Sequence, residues 1–123
     1  MAKLDDILKE MSEEVAGYVT SAVVGMDGIN VASHAIQQAV DTESITAQMT
    51  SLFKQVDGSI MKLGIGEIEE NLIDTEYVHV LMRFLPGKQY FLVLVTYRKT
   101  GKLGNMRMVS KSIVDRISKS IPR

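Results

Sequence analysis

The sequence predicts an α+β domain in the order helix-β-β-helix-β-β-β-helix, a five-stranded antiparallel sheet with helices on both faces. Three observations carry this. Apolar residues recur at intervals of three and four in three stretches, one at each end and one in the middle. Between those stretches the apolar period falls to two, in runs bounded by turn residues. One run, Tyr90–Tyr97, is apolar at both parities, with Phe91, Val93 and Val95 on one face and Leu92 and Leu94 on the other. Its strand is therefore expected to be central and covered from both sides.

In chain order, Leu4, Ile7, Leu8, Met11 and Val15 make the apolar stripe of a first helix whose wet side holds Asp5, Asp6 and Glu10, and Gly17 breaks it. Residues 18–26 read as a strand, Asp27-Gly28 as a tight turn and residues 30–33 as the returning strand, because Asp-Gly suits a turn that needs positive φ. Residues 34–40 connect to the central helix. After it, residues 67–75 form a polar strand whose Glu67, Glu69 and Glu70 mark a sheet edge. Residues 77–85 form the next strand, Pro86-Gly87-Lys88 turns the chain, and Tyr90–Tyr97 follows. Leu103, Met106, Val109, Ile113, Ile117 and Ile121 stripe a last helix that Pro122 ends. Setting Tyr90–Tyr97 beside residues 18–26 closes one sheet. The central helix takes one face and the terminal helices the other. With no linker, low-complexity tract or repeat, residues 1–123 read as a single domain.

The central helix, residues 41–64, organises the chain. Asp41 or Thr42 caps its start with Glu43 in the first turn; Lys62 suits its end and Gly64 stops it. Ile45, Met49, Leu52, Phe53, Val56, Ile60 and Leu63 form its apolar stripe. The opposite face is small and lightly charged: Ala47, Ser51 and Gly58, flanked by Thr50, Lys54 and Met61. A solvated face would carry more Glu and Lys, and Gly58 costs a helix about 1 kcal/mol relative to Ala. These six residues are the expected interface with another protein.

Composition narrows the function. There is no cysteine, which excludes disulfides and thiol chemistry and suits a reducing cytoplasm. The N-terminus has no apolar core of a signal peptide, and no apolar run approaches a membrane span. The net charge of −1 hides an asymmetry: residues 98–123 carry +7 and residues 1–97 carry −8. The basic end is expected to be a folded helix lying against an acidic body, with an anion-binding surface as the alternative.

Catalytic groups are scarce. His34 and His79, the only histidines, sit after and within strands and have no metal-ligand spacing. No Gly-x-Ser-x-Gly elbow is present, and Gly64-x-Gly66 follows a helix and opens a strand, the reverse of a phosphate loop. No catalytic, cofactor-binding or metal residue is predicted, and the protein is expected to be non-enzymatic.

Ser21-Ala22-Val23-Val24-Gly25-Met26-Asp27-Gly28-Ile29-Asn30-Val31-Ala32-Ser33 is similar to the opening hairpin of the roadblock family. Lys62-Leu63-Gly64-Ile65-Gly66-Glu67 resembles its helix-to-strand junction, and Lys102-Leu103-Gly104-Asn105-Met106-Arg107 the start of its last helix. The resemblance spans roughly residues 4–121 and implies a roadblock/profilin-like fold. It also implies a homodimer in which the central helices pack together and edge strands join, here through Glu69, Asn71 and Ile73. Such a platform binds and regulates a Ras-like small GTPase or scaffolds its complex. Asn71 departs from the pattern by standing where the family has an apolar residue. Glycine-bearing Val24-Gly25-Met26-Asp27 replaces a more acidic turn. Arg83, Arg98 and Arg107 are the arginines that exposed positions would offer a GTPase in trans. The alternative is a module meeting a membrane surface or nucleic acid through the basic C-terminal helix. Nucleic acid is disfavoured, because the helix lacks the interleaved aromatics of single-strand binders. A small-molecule sensor is a third class, supported by fold analogy alone.

Overall fold

A computed structural model describes residues 3–121. The elements are α1 (Lys3–Glu14), β1 (Tyr18–Gly25), β2 (Asn30–Ala35), α2 (Thr42–Leu63), β3 (Asn71–Asp74), β4 (Val78–Phe84), β5 (Tyr90–Tyr97) and α3 (Leu103–Ser120). The strands form one antiparallel sheet in the order β2-β1-β5-β4-β3. This is the predicted order of elements, with β5 beside β1. Pro122 lies outside the described residues.

The parity of each strand sorts its side chains between two cores. Leu81, Leu92 and Leu94 join Leu8, Met11, Met106, Ile113 and Ile117 beneath α1 and α3. Met82, Phe91, Val93 and Val95 face α2, where Phe53 meets them. β1 is buried along its whole length because both of its faces are covered. The two terminal helices are tied at their ends as well as along their stripes. Asn105 donates from Nδ2 to Glu14 O and accepts at Oδ1 from the Ala16 N–H, satisfying backbone groups that a helix end leaves open.

Two boundaries differ from expectation. β2 runs two residues beyond Ser33, because the Ile36 N–H still donates to Val19 O at 2.9 Å and the ladder continues. β3 is four residues rather than nine, starting only at Asn71. At Gly101 the chain passes so close to itself that a Cβ would stand 2.4 Å from Tyr97 O, which explains glycine between β5 and α3.

Two substitutions test this packing. Ile117→Ala, at a fully buried α3 position, is expected to cost about 2–5 kcal/mol through a cavity under the helix. Gly101→Ala is expected to cost about 1–3 kcal/mol because a backbone carbonyl must give way. Urea unfolding of each variant reads both, and a change below 0.5 kcal/mol in either (about the noise of a surface substitution) would contradict the packing described.

Candidate partner-binding surface

α2 is built as its sequence dictates at both ends. Asp41 caps it: Oδ1 accepts from the Ser44 N–H at 3.1 Å and Oδ2 from the Ser44 hydroxyl at 2.8 Å. Those hydrogen bonds hold the Asp41 carboxyl below its ordinary pKa. At the other end Gly64 takes the left-handed conformation at φ 64° and donates its N–H to Met61 O.

The helix is rotated from the orientation that its apolar stripe predicts. Of the seven stripe residues only Phe53 is fully buried, its ring 4.6 Å from Phe84 and 4.9 Å from Phe91. Thr46 and Thr50 share the sheet side with it. Burying them is cheap, because each hydroxyl bonds a carbonyl of its own helix: Thr46 to Glu43 O, and Thr50 to Thr46 O at 2.6 Å. Ile45, Met49, Leu52, Val56 and Ile60 are left half-buried, and Leu63 is 67% exposed. Thr50 is therefore a correction to the expected interface, since it faces the sheet. Ala47, Ser51, Lys54, Gly58 and Met61 are exposed. Nothing lies within 4 Å of a Cβ built at Gly58, so no contact within the chain demands glycine there.

The outer edge is also rearranged. Asn71 pairs with Met82 and Ile73 with Val80, but Glu69 precedes the strand instead of joining it. Two arginines hold the segment before β3. Glu70 accepts from Arg83 Nη2 at 2.9 Å on one oxygen and from Arg107 Nε at 2.8 Å on the other, and Arg83 Nη1 donates to Glu69 O at 3.0 Å. Two of the arginines expected at exposed positions are thus committed within the chain. Arg83 has only 12% of its side chain exposed, with its Nε buried and unpartnered among the described residues. Arg98, the third, is exposed and donates to Thr75 O. A cleft of about 550 Å³ beside Arg83 is lined by Glu67, Glu69, Lys88 and Lys111. Lys88 is occupied there by Asp57 and Glu67.

α3 lies on an acidic neighbour, as its charge asymmetry suggests: besides the Arg107–Glu70 pair, Arg116 makes a two-pronged contact with Glu10 of α1. Both histidines have structural partners. His34 packs its ring against Tyr18, 5.9 Å between centroids, and buried His79 hydrogen-bonds Asp74 through Nδ1. Among the described residues no group of three or more His, Cys, Asp or Glu is arranged to hold a metal, and no helix is long and apolar enough to cross a membrane.

No family model matches the chain. It is 30% identical over 114 residues to the uncharacterized protein MJ0310 of Methanocaldococcus jannaschii, covering 93% of this chain and 96% of that protein. Among solved structures it superposes on Myxococcus xanthus MglB with a TM-score of 0.85, at 18% identity, over 97% of this chain and 94% of the other. An MglB structure described as having a tetrameric arrangement gives 0.82, at 16% identity over 94% and 85%. A Roadblock/LC7 domain from Streptomyces avermitilis gives 0.74, at 14% identity over 95% and 99%. The chain has the roadblock fold and belongs to one family with MJ0310. Within that fold, the open side of α2, its half-covered apolar row and the two outer strands are left partly or wholly uncovered among the described residues.

What sequence reasoning missed at this surface is the Arg83–Glu70–Arg107 bridge. Its one signal was an arginine at a core-facing parity of β4, between Leu81 and Leu85, where a charge needs a buried partner. The rotation of α2 was signalled by Thr46 and Thr50, spaced four apart and in register with Phe53.

The exposed α1–α3 pair gives a pH test. The Glu10 carboxyl lies below its ordinary value of 4.5, first through its hydrogen bond to Arg116 and then through that charge; Arg116 is correspondingly raised. A depressed carboxyl stabilises the fold above its unfolded pKa and loses that contribution as pH falls through the folded one. The melting temperature of Glu10→Gln should therefore lie slightly below wild type at neutral pH. The gap should close as the solution is acidified below 4.5. A gap that widens on acidification would contradict the assignment.

Proposed function

We propose that this roadblock-fold chain is a non-enzymatic cytoplasmic interaction module that dimerises through α2 and binds and regulates a Ras-like small GTPase. The observation that carries the reading is how α2 meets its sheet. One apolar side chain, Phe53, is fully buried, while five more are half-covered and Leu63 and Ile65 are 67% and 68% exposed. A helix so loosely covered gains from a second copy laid along it, at about 25 cal/mol per Å² of apolar surface removed from water. Ala47, Ser51 and Gly58 would let the partner helix approach closely, with Lys54 and Met61 at the margin. Asn71 and Ile73 extend the paired surface to the sheet edge. The tetrameric arrangement described for one MglB structure supports self-association as a use of this fold.

The small face and the apolar row lie nearly half a turn apart at 100° per residue, so two variants separate their contributions. Leu52→Glu puts a charge in the apolar row, and Gly58→Arg puts a long cation on the small face. Both are expected to shift a dimer toward monomer in light scattering, because each would bury an unpaired charge. A wild type that is monomeric at tens of micromolar, a normal range for functional dimers, would overturn the dimer.

The GTPase reading rests on the resemblance of the opening hairpin and the two glycine junctions. With the chain read as non-enzymatic, regulation would act through the surface, by preferring one switch state of the partner. Titrating a Ras-like GTPase loaded with GDP or with a GTP analogue should give unequal affinities, lost in the α2 variants. Equal affinities would leave a scaffold, and no binding to either form would remove the GTPase. An anionic partner for α3 is not adopted, because Arg107 and Arg116 are already paired with carboxylates.

A further inference from the structure

The two edges of the sheet are unequally protected. β3 is four residues long, ends in Asp74 and is flanked by Glu67, Glu69, Glu70 and Glu76. Short length and charge are the means by which soluble proteins discourage strand addition. β2 has neither. It is six residues long, and from Gly28 to Val40 the chain carries no Lys, Arg, Asp or Glu, in a protein in which 24% of residues are charged. Around this strand Ile29 is 64% exposed, Val31 36% and Ile36 57%.

The backbone of β2 is free on its outer side. The Ile36 N–H bonds inward to Val19 O, and the same register sets His34 opposite Ser21 and Ala32 opposite Val23. Antiparallel pairing alternates, so the N–H and C=O groups of Ser33 and Ala35 point outward. β2 ends the sheet, and these groups have no backbone partner among the described residues.

We propose that this edge pairs antiparallel with β2 of a second copy across a two-fold axis, a self-association surface separate from α2 that carries assembly beyond the dimer. Charge selects the occupant. Like charges directly opposite one another destabilise a strand pair, and a strand laid against its own copy meets its own charges; β2 has none to oppose it. The surface is isologous, so one patch serves both copies. With Ser33 on the axis, Val31 of each copy stands opposite Ala35 of the other, and the exposed Ile29 and Ile36 flank the junction. The inference goes beyond the proposed function and does not require it, since β2 and α2 are different surfaces.

The test is the mass of the full chain by light scattering as concentration rises to about 1 mM, the range of a weak association. Wild type is expected to exceed two chains. Ser33→Pro removes an outward N–H while leaving the inner ladder intact, and should hold the mass at two. Ser33→Lys, which sets like charges across the axis, is the second variant should proline perturb the strand, with circular dichroism confirming that each is folded. A wild type that plateaus at two chains and whose dimer is lost in the α2 variants overturns the proposal, as does unchanged association in both Ser33 variants. Leu52→Glu or Gly58→Arg should still reach two chains through β2, and their remaining monomeric at about 1 mM would also overturn it. Association lowered by the Ser33 variants but by neither α2 variant would retain the β2 surface and reject the α2 dimer.

Discussion

The structure depends on β5 lying between β1 and β4. This one strand pairs along nearly its whole length on both sides, and its residues from Phe91 to Thr96 are buried. A hairpin from the start of the chain is thereby joined to a meander near its end, at a loop-closure cost that rises only slowly with the length of the intervening chain. The alternation of its side chains then divides the interior in two. Leu92 and Leu94 recruit α1 and α3, and Phe91, Val93 and Val95 recruit α2. The helices need no further instruction about which face to cover.

The two cores are not equivalent, and the difference assigns their roles. Beneath α1 and α3 a continuous set of Leu, Ile, Met and Val is almost fully buried, clamped at the helix ends by Asn105 and outside by Arg116 and Glu10. Beneath α2 the aromatic trio Phe53, Phe84 and Phe91 anchors the middle. Toward the N-terminus Ile45 and Met49 pack against this core beside threonine hydroxyls, with Thr20 and Thr42 bonded at 2.7 Å. Each such hydroxyl is satisfied, so nothing penalises its burial, but it contributes less than a methyl group would. The α1–α3 side behaves as the foundation, and α2 as the element with most surface still to bury.

How far this was legible follows from which signal each feature writes into the chain. Element order, the partner of β5 and both α2 caps were readable, because period, parity and capping chemistry are local and each was consistent with the rest. The single domain inferred from the absence of a linker remains a reading of composition. The rotation of α2 was not readable from hydrophobicity, which ranks Leu52 and Val56 above Thr46 and Thr50. The outcome instead turned on hydroxyls that satisfy themselves on their own helix. The length of β3 was hidden for a related reason. Glu67, Glu69 and Glu70 mark a sheet edge by their charge, but nothing local shows that Glu70 is a ligand for two arginines distant in sequence.

That bridge borders one edge of the sheet. Arg83 and Arg107 clamp Glu69 and Glu70 against β4 and α3 immediately before β3, which is four residues long. A longer β3 would offer more unpaired backbone, with glutamates on its outward positions. The short one confines strand addition there to Asn71 and Ile73. Among the described residues β2 has no such clamp, and its pairing with β1 ends at Ala35. One sheet thus presents a restricted acidic edge and an open neutral one, and the physics of edge strands favours self-pairing at the second.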